Sequence, residues 1–396
     1  MSWDFDETVP REGTDCLKYD FRKEVFGVGD LIPMWVADMD FRTPVFIVEE
    51  LRRRLDHEIF GYSVRPSAYF TSIISWLRDR HSWETEKDWI IFTPGIVPAL
   101  NLCTLAFTEP GDGIIVQPPV YFPFFSAVEN HGRRLIYNRL SEYEGRWSMD
   151  NDALIGSIDK DTKMIFISNP HNPVGRCWTR DELTSLAEIC LERDILMISD
   201  EIHCDLVLPG NKHTPLASLS EEIARRTVTC IAPSKTFNLA GLSTSSVIIS
   251  DPLLRDKFRK TLESLHIGNG NIFGTVASAA AYAKGHKWVD ALTSYIAGNV
   301  SLVTKSLGNP GSLIKPVSPE ATYMIWLDCR AMGMNGKELS DFFVREAAVG
   351  MNEGSAFGPG GEGFMRMNLG TTAAVVARAM VQIENALTRL KDKKDG

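Results

Sequence analysis

Seven short apolar runs punctuate the middle of the chain. They are Trp89-Ile90-Ile91-Phe92, Gly113-Ile114-Ile115-Val116, Arg134-Leu135-Ile136-Tyr137, Met164-Ile165-Phe166-Ile167, Ile195-Leu196-Met197-Ile198, Val228-Thr229-Cys230-Ile231 and Ser246-Val247-Ile248-Ile249. Each has the length of a strand and is rich in β-branched residues. Continuous rather than alternating hydrophobicity predicts strands covered on both faces. Between the runs the period changes to that of helices. Thr179-Arg180-Asp181-Glu182 spells a capping box, followed by Leu183, Leu186, Ala187, Cys190 and Leu191 at helical spacing. Pro98 suits a first helical turn, with Leu100, Cys103 and Phe107 on one face. Repeated strand–helix alternation predicts a mainly parallel α/β sheet, with ligands beyond the carboxyl ends of its strands.

After about residue 285 the pattern changes. A long amphipathic helix is predicted from His286 to about Ser306. A short strand follows at Tyr323-Met324-Ile325-Trp326-Leu327, then helices near 336–348 and 373–391, and a frayed tail over 391–396. This predicts three parts. Residues 1–44 form an N-terminal segment that joins the smaller domain, 45–285 a large ligand-binding domain, and 286–396 a small α+β domain.

Composition narrows the function classes. Of 396 residues 44% are hydrophobic and 23% charged, which fits a folded chain and excludes disorder. No apolar run reaches the ~20 residues of a membrane helix, and the acidic opening Met1-Ser2-Trp3-Asp4 is unlike a secretory leader. A net charge of -9 argues against a nucleic-acid or anionic-membrane surface. The seven Cys form no C-x-x-C pair, and several sit in apolar runs. Reduced, mostly buried thiols in a cytoplasmic protein without a metal site are expected.

The chemistry lies where strands end. Five polar clusters directly follow apolar runs: Thr93-Pro94-Gly95-Ile96-Val97-Pro98, Pro118-Pro119-Val120-Tyr121, Asn169 to Gly175, Asp200-Glu201-Ile202-His203 and Pro233-Ser234-Lys235-Thr236. A lysine, an aspartate, an asparagine, an aromatic ring and a helix start are what pyridoxal 5'-phosphate (PLP) requires. The amine bonds the aldehyde and a carboxylate keeps the pyridine nitrogen protonated. An amide donates to the ring oxygen, an aromatic face stacks, and helix-start amides hold the phosphate. Each residue alone has an ordinary reading: a solvated lysine, an N-cap aspartate, a turn asparagine, a core tyrosine, a turn glycine, a core histidine. Their order along the chain joins them.

With these segments the sequence resembles the class I/II aminotransferase family of PLP enzymes, and most closely its carbon–sulfur lyase branch, the cystathionine β-lyases of MalY/PatB type. Trp35 to Phe41, Phe60-Gly61-Tyr62-Ser63, Asn169 to Arg176, Asp200 to Leu206, Ser234 to Asn238 and Arg366-Met367-Asn368 carry the resemblance, so it spans nearly the whole chain. It implies an aspartate-aminotransferase-like α/β fold and a PLP cofactor. Lys235 corresponds to the cofactor-bonding lysine and catalytic base, Asp200 to the aspartate on the pyridine nitrogen, Asn172 to the asparagine on the ring oxygen, and Tyr121 to the stacking ring. Gly95, Ile96, Val97 and Ser234 correspond to the phosphate cradle, and His203 replaces a common tyrosine among the cofactor contacts. Arg366, with Asn172, corresponds to the clamp on the substrate carboxylate, a geometry suited to guanidinium. Tyr62 corresponds to a residue that reaches the phosphate from the neighbouring subunit, which implies a homodimer with shared sites.

Three departures stand out. Ser243 occupies the place of a common phosphate-binding arginine, Ala232 that of a Ser or Thr, and His203 that of a Tyr. They weaken the assignment to a typical transaminase. The implied reaction is α,β-elimination from cystathionine or cysteine-type thioethers. The alternatives are an aminotransferase of an L-amino acid and a PLP-binding regulatory protein. Trp35 and Tyr323 are equally readable as pocket walls or core. Gly358 to Gly363 matches G-x-G-x-x-G and Asn299-Val300-Ser301 a glycosylation pattern, but neither has the context its function needs.

Overall fold

A computed structural model describes residues 3–395 of the chain; Met1, Ser2 and Gly396 lie outside the described residues. The seven apolar runs become strands of one sheet: β1 Ile90–Thr93, β2 Gly113–Val116, β3 Arg134–Tyr137, β4 Thr162–Ser168, β5 Leu196–Asp200, β6 Thr227–Ile231 and β7 Ser245–Ile249. Their order is β1-β7-β6-β5-β4-β2-β3. All pairings are parallel except those of β7, which runs antiparallel to both β1 and β6. That reversal brings the start of β7 to the edge where the other six strands end, with Ser245 opposite Thr93.

Helices cover both faces, as the continuous apolar runs require. On one face Ile114, Val116, Phe166, Ile198 and Val247 pack against Leu100 and Cys103 of helix Ile96–Phe107. On the other, Ile115, Ile165, Ile167 and Met197 pack against Leu183 and Leu186 of helix Arg180–Glu192. The Thr179 capping box forms in full. Each such side chain contributes about 1.5–3 kcal/mol on burial, so the two faces together fix the sheet. The edge strand β3 departs from the expectation. It is half-open, with Tyr137 exposed, because nothing pairs beyond it.

A second sheet holds strands Lys315–Val317, Met324–Asp328, Asn352–Glu353 and Phe364–Asn368, all antiparallel. Its core gathers Ile325, Leu327, Met365 and Met367 with Val376 and Ile383 of helix Ala373–Asp395. That helix continues to Asp395, through the part of the tail expected to fray that lies within the described residues. Near 336–348 the expected single helix is a short α-helix, Gly336–Asp341, running into a wider π turn over Phe342–Glu346. The long helix His286–Leu307 straddles the two cores. Trp288, Val289 and Leu292 pack on the first, Val303 and Leu307 on the second. The N-terminal residues Ile32–Pro33 pair in parallel with Val349–Gly350. Among the described residues no helix is long and apolar enough to cross a membrane.

Two sequence motifs resolve as structural. The glycines of 358–363 lead into strand Phe364–Asn368 and open no helix, so the dinucleotide motif lacks its element. Asn299 is buried and donates to Leu369 O and Thr371 O, joining a helix to the second sheet.

Candidate active site

One cavity opens at the carboxyl edge of the large sheet. Its wall includes Gly95, Ile96, Val97, Tyr121, Asn172, Asp200, His203, Ser234 and Lys235. Thus nine of the eleven residues singled out by sequence meet there. Arg366 joins them from the second sheet through its contact with Asn172. Tyr62 does not: it is fully exposed and makes no hydrogen bond.

Lys235 sits on a one-turn helix, Pro233–Thr236, just past β6. Its Nζ donates to Ala37 O at 2.6 Å. Burial and the nearby Arg366 charge pull its ammonium down to about 8. Asp200 ends β5. Burial pushes its carboxyl up to about 7, only partly opposed by the Ile202 amide donating to Oδ1 at 3.1 Å. No cation lies within 4 Å of it among the described residues, so its charge is incompletely compensated. Burial holds His203 neutral, its imidazole pulled down to about 3, and its Nδ1 has no partner.

The corner at the start of helix Ile96–Phe107 is built from backbone. Gly95 caps helix Ile96–Phe107 with φ +150°, a conformation that L side chains rarely adopt. No side chain caps that helix. Pro98 lacks an N–H and Ala99 N bonds Gly95 O at 3.1 Å, which leaves the amides of Ile96 and Val97 free at the positive end of the dipole. Ser234, Ser243 and Thr244 add hydroxyls. Ser243 brings no charge, so this corner is neutral apart from Lys235.

Arg366 is buried in strand Phe364–Asn368. Its Nη1 donates to Asn172 Oδ1 at 3.0 Å, its Nη2 to Asn352 Oδ1 at 2.8 Å and Trp35 O at 3.2 Å, and it lies 4.7 Å from the Phe357 ring centre. Among the described residues its Nε is unpartnered and no carboxylate comes within salt-bridge distance. Burial accordingly pulls the guanidinium down to about 10. A buried cation held only by neutral acceptors keeps a charge that the protein leaves uncompensated. Asn172 gives its oxygen to Arg366, leaving its NH₂ as a donor.

The loop that carries Asn172 is fixed from outside the cavity. Gly175 has φ +73°, and a Cβ there would meet Pro319 at 2.7 Å. Arg176 clamps Glu320 at 2.9 Å and Glu182 at 2.9 Å. Arg176 is therefore a brace for the loop.

Several contributors were not legible. Ala37 O, Trp35 O and Asn352 meet the site only through the long-range fold. The segment from Trp35 to Phe41 was the available signal; it folds over the cavity and is pinned by Asn238 to Met39 O and Phe41 O, by Tyr323 Oη to Ala37 O at 2.9 Å, and by Asn368 to Asp38 O at 2.7 Å. Tyr323 thus supports this strap and also packs edge-on against His203, while Trp35 belongs to the strap and gives its carbonyl to Arg366.

The donor set fits pyridoxal phosphate: a depressed lysine, a buried uncompensated carboxyl, an asparagine NH₂, a tyrosine ring, and two free helix-start amides. The profile of the family described as aminotransferase class I and II matches residues 30–383. The chain is 45% identical over 385 residues to cystathionine beta-lyase PatB of Bacillus subtilis (strain 168), covering 97% of this chain and all of that one. Among solved structures it is similar to cystalysin from Treponema denticola, described as containing a pyridoxal 5'-phosphate cofactor, with TM-score 0.95 and 37% identity, covering 98% of this chain and 100% of that chain. The PLP-bound C-S lyase from Staphylococcus hominis matches with TM-score 0.91 and 31% identity, covering 98% of each chain.

Proposed function

From the premise that the chain belongs to the aminotransferase class I and II family, we propose that it is a PLP-dependent carbon–sulfur β-lyase acting on cysteine-type thioethers such as cystathionine, releasing a thiol, pyruvate and ammonia. The observation that carries the lyase outcome is the 45% identity with PatB along almost the full length of both chains.

The residues divide the work. Asp200 would hold the pyridine nitrogen, Asn172 the ring oxygen, Tyr121 the ring face, and Gly95, Ile96, Val97 and Ser234 the phosphate, with His203 packed beside the ring. When bound, the cofactor supplies an electron sink for charge that develops at the substrate Cα. Arg366 and Asn172 bind the substrate carboxylate and so orient the Cα–H bond. Lys235 Nζ takes the Cα proton; its depressed pKa makes the neutral amine available near neutral pH. Asp200, ionised when it faces a pyridinium, keeps that proton in place. The strap from Trp35 to Phe41 excludes water from the amine side. The thiolate leaves without a protein nucleophile, which agrees with the absence of any reactive Cys at the cavity wall among the described residues.

The supporting architecture is read as a large unit over 45–285, which supplies the cofactor contacts, and a smaller unit of 286–396 with 1–44, which supplies Arg366 and the strap. We read Tyr62 as a residue for a second subunit's cavity in a homodimer. Its exposed apolar arm, with Ile59, Phe60 and Val64 also exposed, supports that reading. The charge and the free, mostly buried thiols support a cytoplasmic location.

A β-thioether and a γ-thioether test the reaction class. A lyase releases thiol from S-methyl-L-cysteine and none from L-methionine, whose sulfur is one carbon too far. Equal consumption of both, only with a keto acid present, would assign a transaminase instead.

A further inference from the structure

A buried carboxylate stands behind the lysine, outside the cavity. Asp205 lies five residues past the end of β5 and is 1% exposed. Its Oδ1 accepts from the Trp76 indole at 2.9 Å and from His81 Nε2 at 2.8 Å, and its Oδ2 accepts from the Thr236 hydroxyl at 3.1 Å. Arg80 Nε is 3.8 Å from Oδ1. Trp76, Arg80 and His81 belong to helix Ser67–His81, a rigid element packed on the core. Thr236 follows Lys235 directly.

His81, Cys204 and Asp205 also place their donor atoms within 4.8 Å of one another, as a cation site would. Asp205 is already met by three protein donors and an arginine, and burial keeps the Cys204 thiol protonated. The cluster is complete without a metal.

We infer that Asp205 is a positioning residue for Lys235, holding the lysine-bearing turn against helix Ser67–His81 through the Thr236 hydroxyl. A four-residue helix cannot fix its own orientation, since nucleation is unfavourable and only one turn closes. Its rotation must be set by tertiary anchors. Successive residues on a helix differ by about 100° in direction, so fixing Thr236 toward Asp205 fixes Lys235 toward the cavity. Asp205 stays ionised because His81, Trp76 and Arg80 stabilise its charge against burial. Around Lys235 itself the facing charges are Arg366, Asp38 and Asp200, and none is altered by changing Thr236.

The turnover arm of the test rests on the lyase reading; the spectral arm does not. Holoenzymes carrying Thr236→Val and Thr236→Ser are compared with wild type for kcat and KM with L-cystathionine, for the pH midpoint of the bound cofactor's visible band, and for Tm. Thr236→Val keeps the volume and removes the donor. It is expected to lower kcat by about tenfold or more with KM within about threefold. It is also expected to shift the band midpoint by roughly half a pH unit or more, because the band reports the Lys235 nitrogen in its bond to the cofactor and a loosened turn changes that nitrogen's orientation and surroundings. Thr236→Ser restores both, and Asp205→Asn reproduces the valine phenotype if it folds. A valine variant with unchanged kcat and midpoint overturns the inference, as does one whose activity falls only together with Tm while the midpoint stays fixed. If wild type releases no pyruvate, the lyase reading fails, and the band midpoints still decide the role of Asp205.

Discussion

Arg366 Nη1 and Asn172 Oδ1 lie 3.0 Å apart, and this contact joins the small antiparallel sheet to the loop after β4 of the large one. The pair therefore ties the guanidinium proposed to hold the substrate carboxylate to the asparagine proposed to face the cofactor. Arg366→Lys keeps the charge and loses the fork. It is expected to lower kcat/KM for an amino-acid thioether by about 100-fold, mostly through KM, while the bound cofactor's spectrum is retained. Steady-state kinetics with absorbance of the purified variant checks this. A loss below about threefold would remove Arg366 from the carboxylate site.

Asp200 links the site to stability. With cofactor removed, its folded pKa of about 7 lies above the ordinary carboxylate value. Stability from its neutral form is full below about pH 4 and lost as pH rises through 7, amounting to at most about 4 kcal/mol. Asp200→Asn, which never ionises, should gain progressively on wild type from about pH 4 to pH 7 in urea unfolding of the cofactor-free proteins. The same variant should lose most turnover, because an amide does not hold a proton on the pyridine nitrogen. A stability difference independent of pH would contradict the buried-carboxyl assignment.

Lys235 should react as an unusual amine. In cofactor-free protein an amine-selective acylating reagent should label it with a midpoint near pH 8, well below exposed lysines. Added PLP should block that labelling. Peptide mapping across pH reads both effects, and a midpoint above 10 would show that the amine is not desolvated.

The exposed arm predicts shared sites. If Tyr62 completes a partner's cavity, Tyr62→Ala and Lys235→Ala are each nearly inactive. Mixed by unfolding and refolding together, they should recover roughly a quarter of wild-type activity, since half the dimers are hybrids with one intact site. No recovery from a mixture shown to contain hybrids would confine each site to one chain.

The periodicity of the chain carried most of the large sheet. Seven continuous apolar runs gave seven strands, because burial on both faces leaves no polar alternation to confuse. The same signal misled at Arg134 to Tyr137, where a continuous run lies at the sheet's edge with both ends exposed. The candidate residues of the large sheet were readable because each follows a strand end, and parallel strands bring those ends together. The reversal of β7, which delivers Ser243 and Thr244 to the same edge, had no local signature. Nor did Asn352 or the Asp205–Thr236 contact, since neither is implied by spacing along the chain.

The most direct test of the account is release of pyruvate and thiol from L-cystathionine without any added keto acid, in wild type and in Lys235→Ala. The account predicts equimolar pyruvate and thiol from wild type and a loss of at least about a thousandfold in the variant. Amino transfer to a supplied keto acid with no pyruvate in its absence, or pyruvate formation that survives Lys235→Ala, would contradict it.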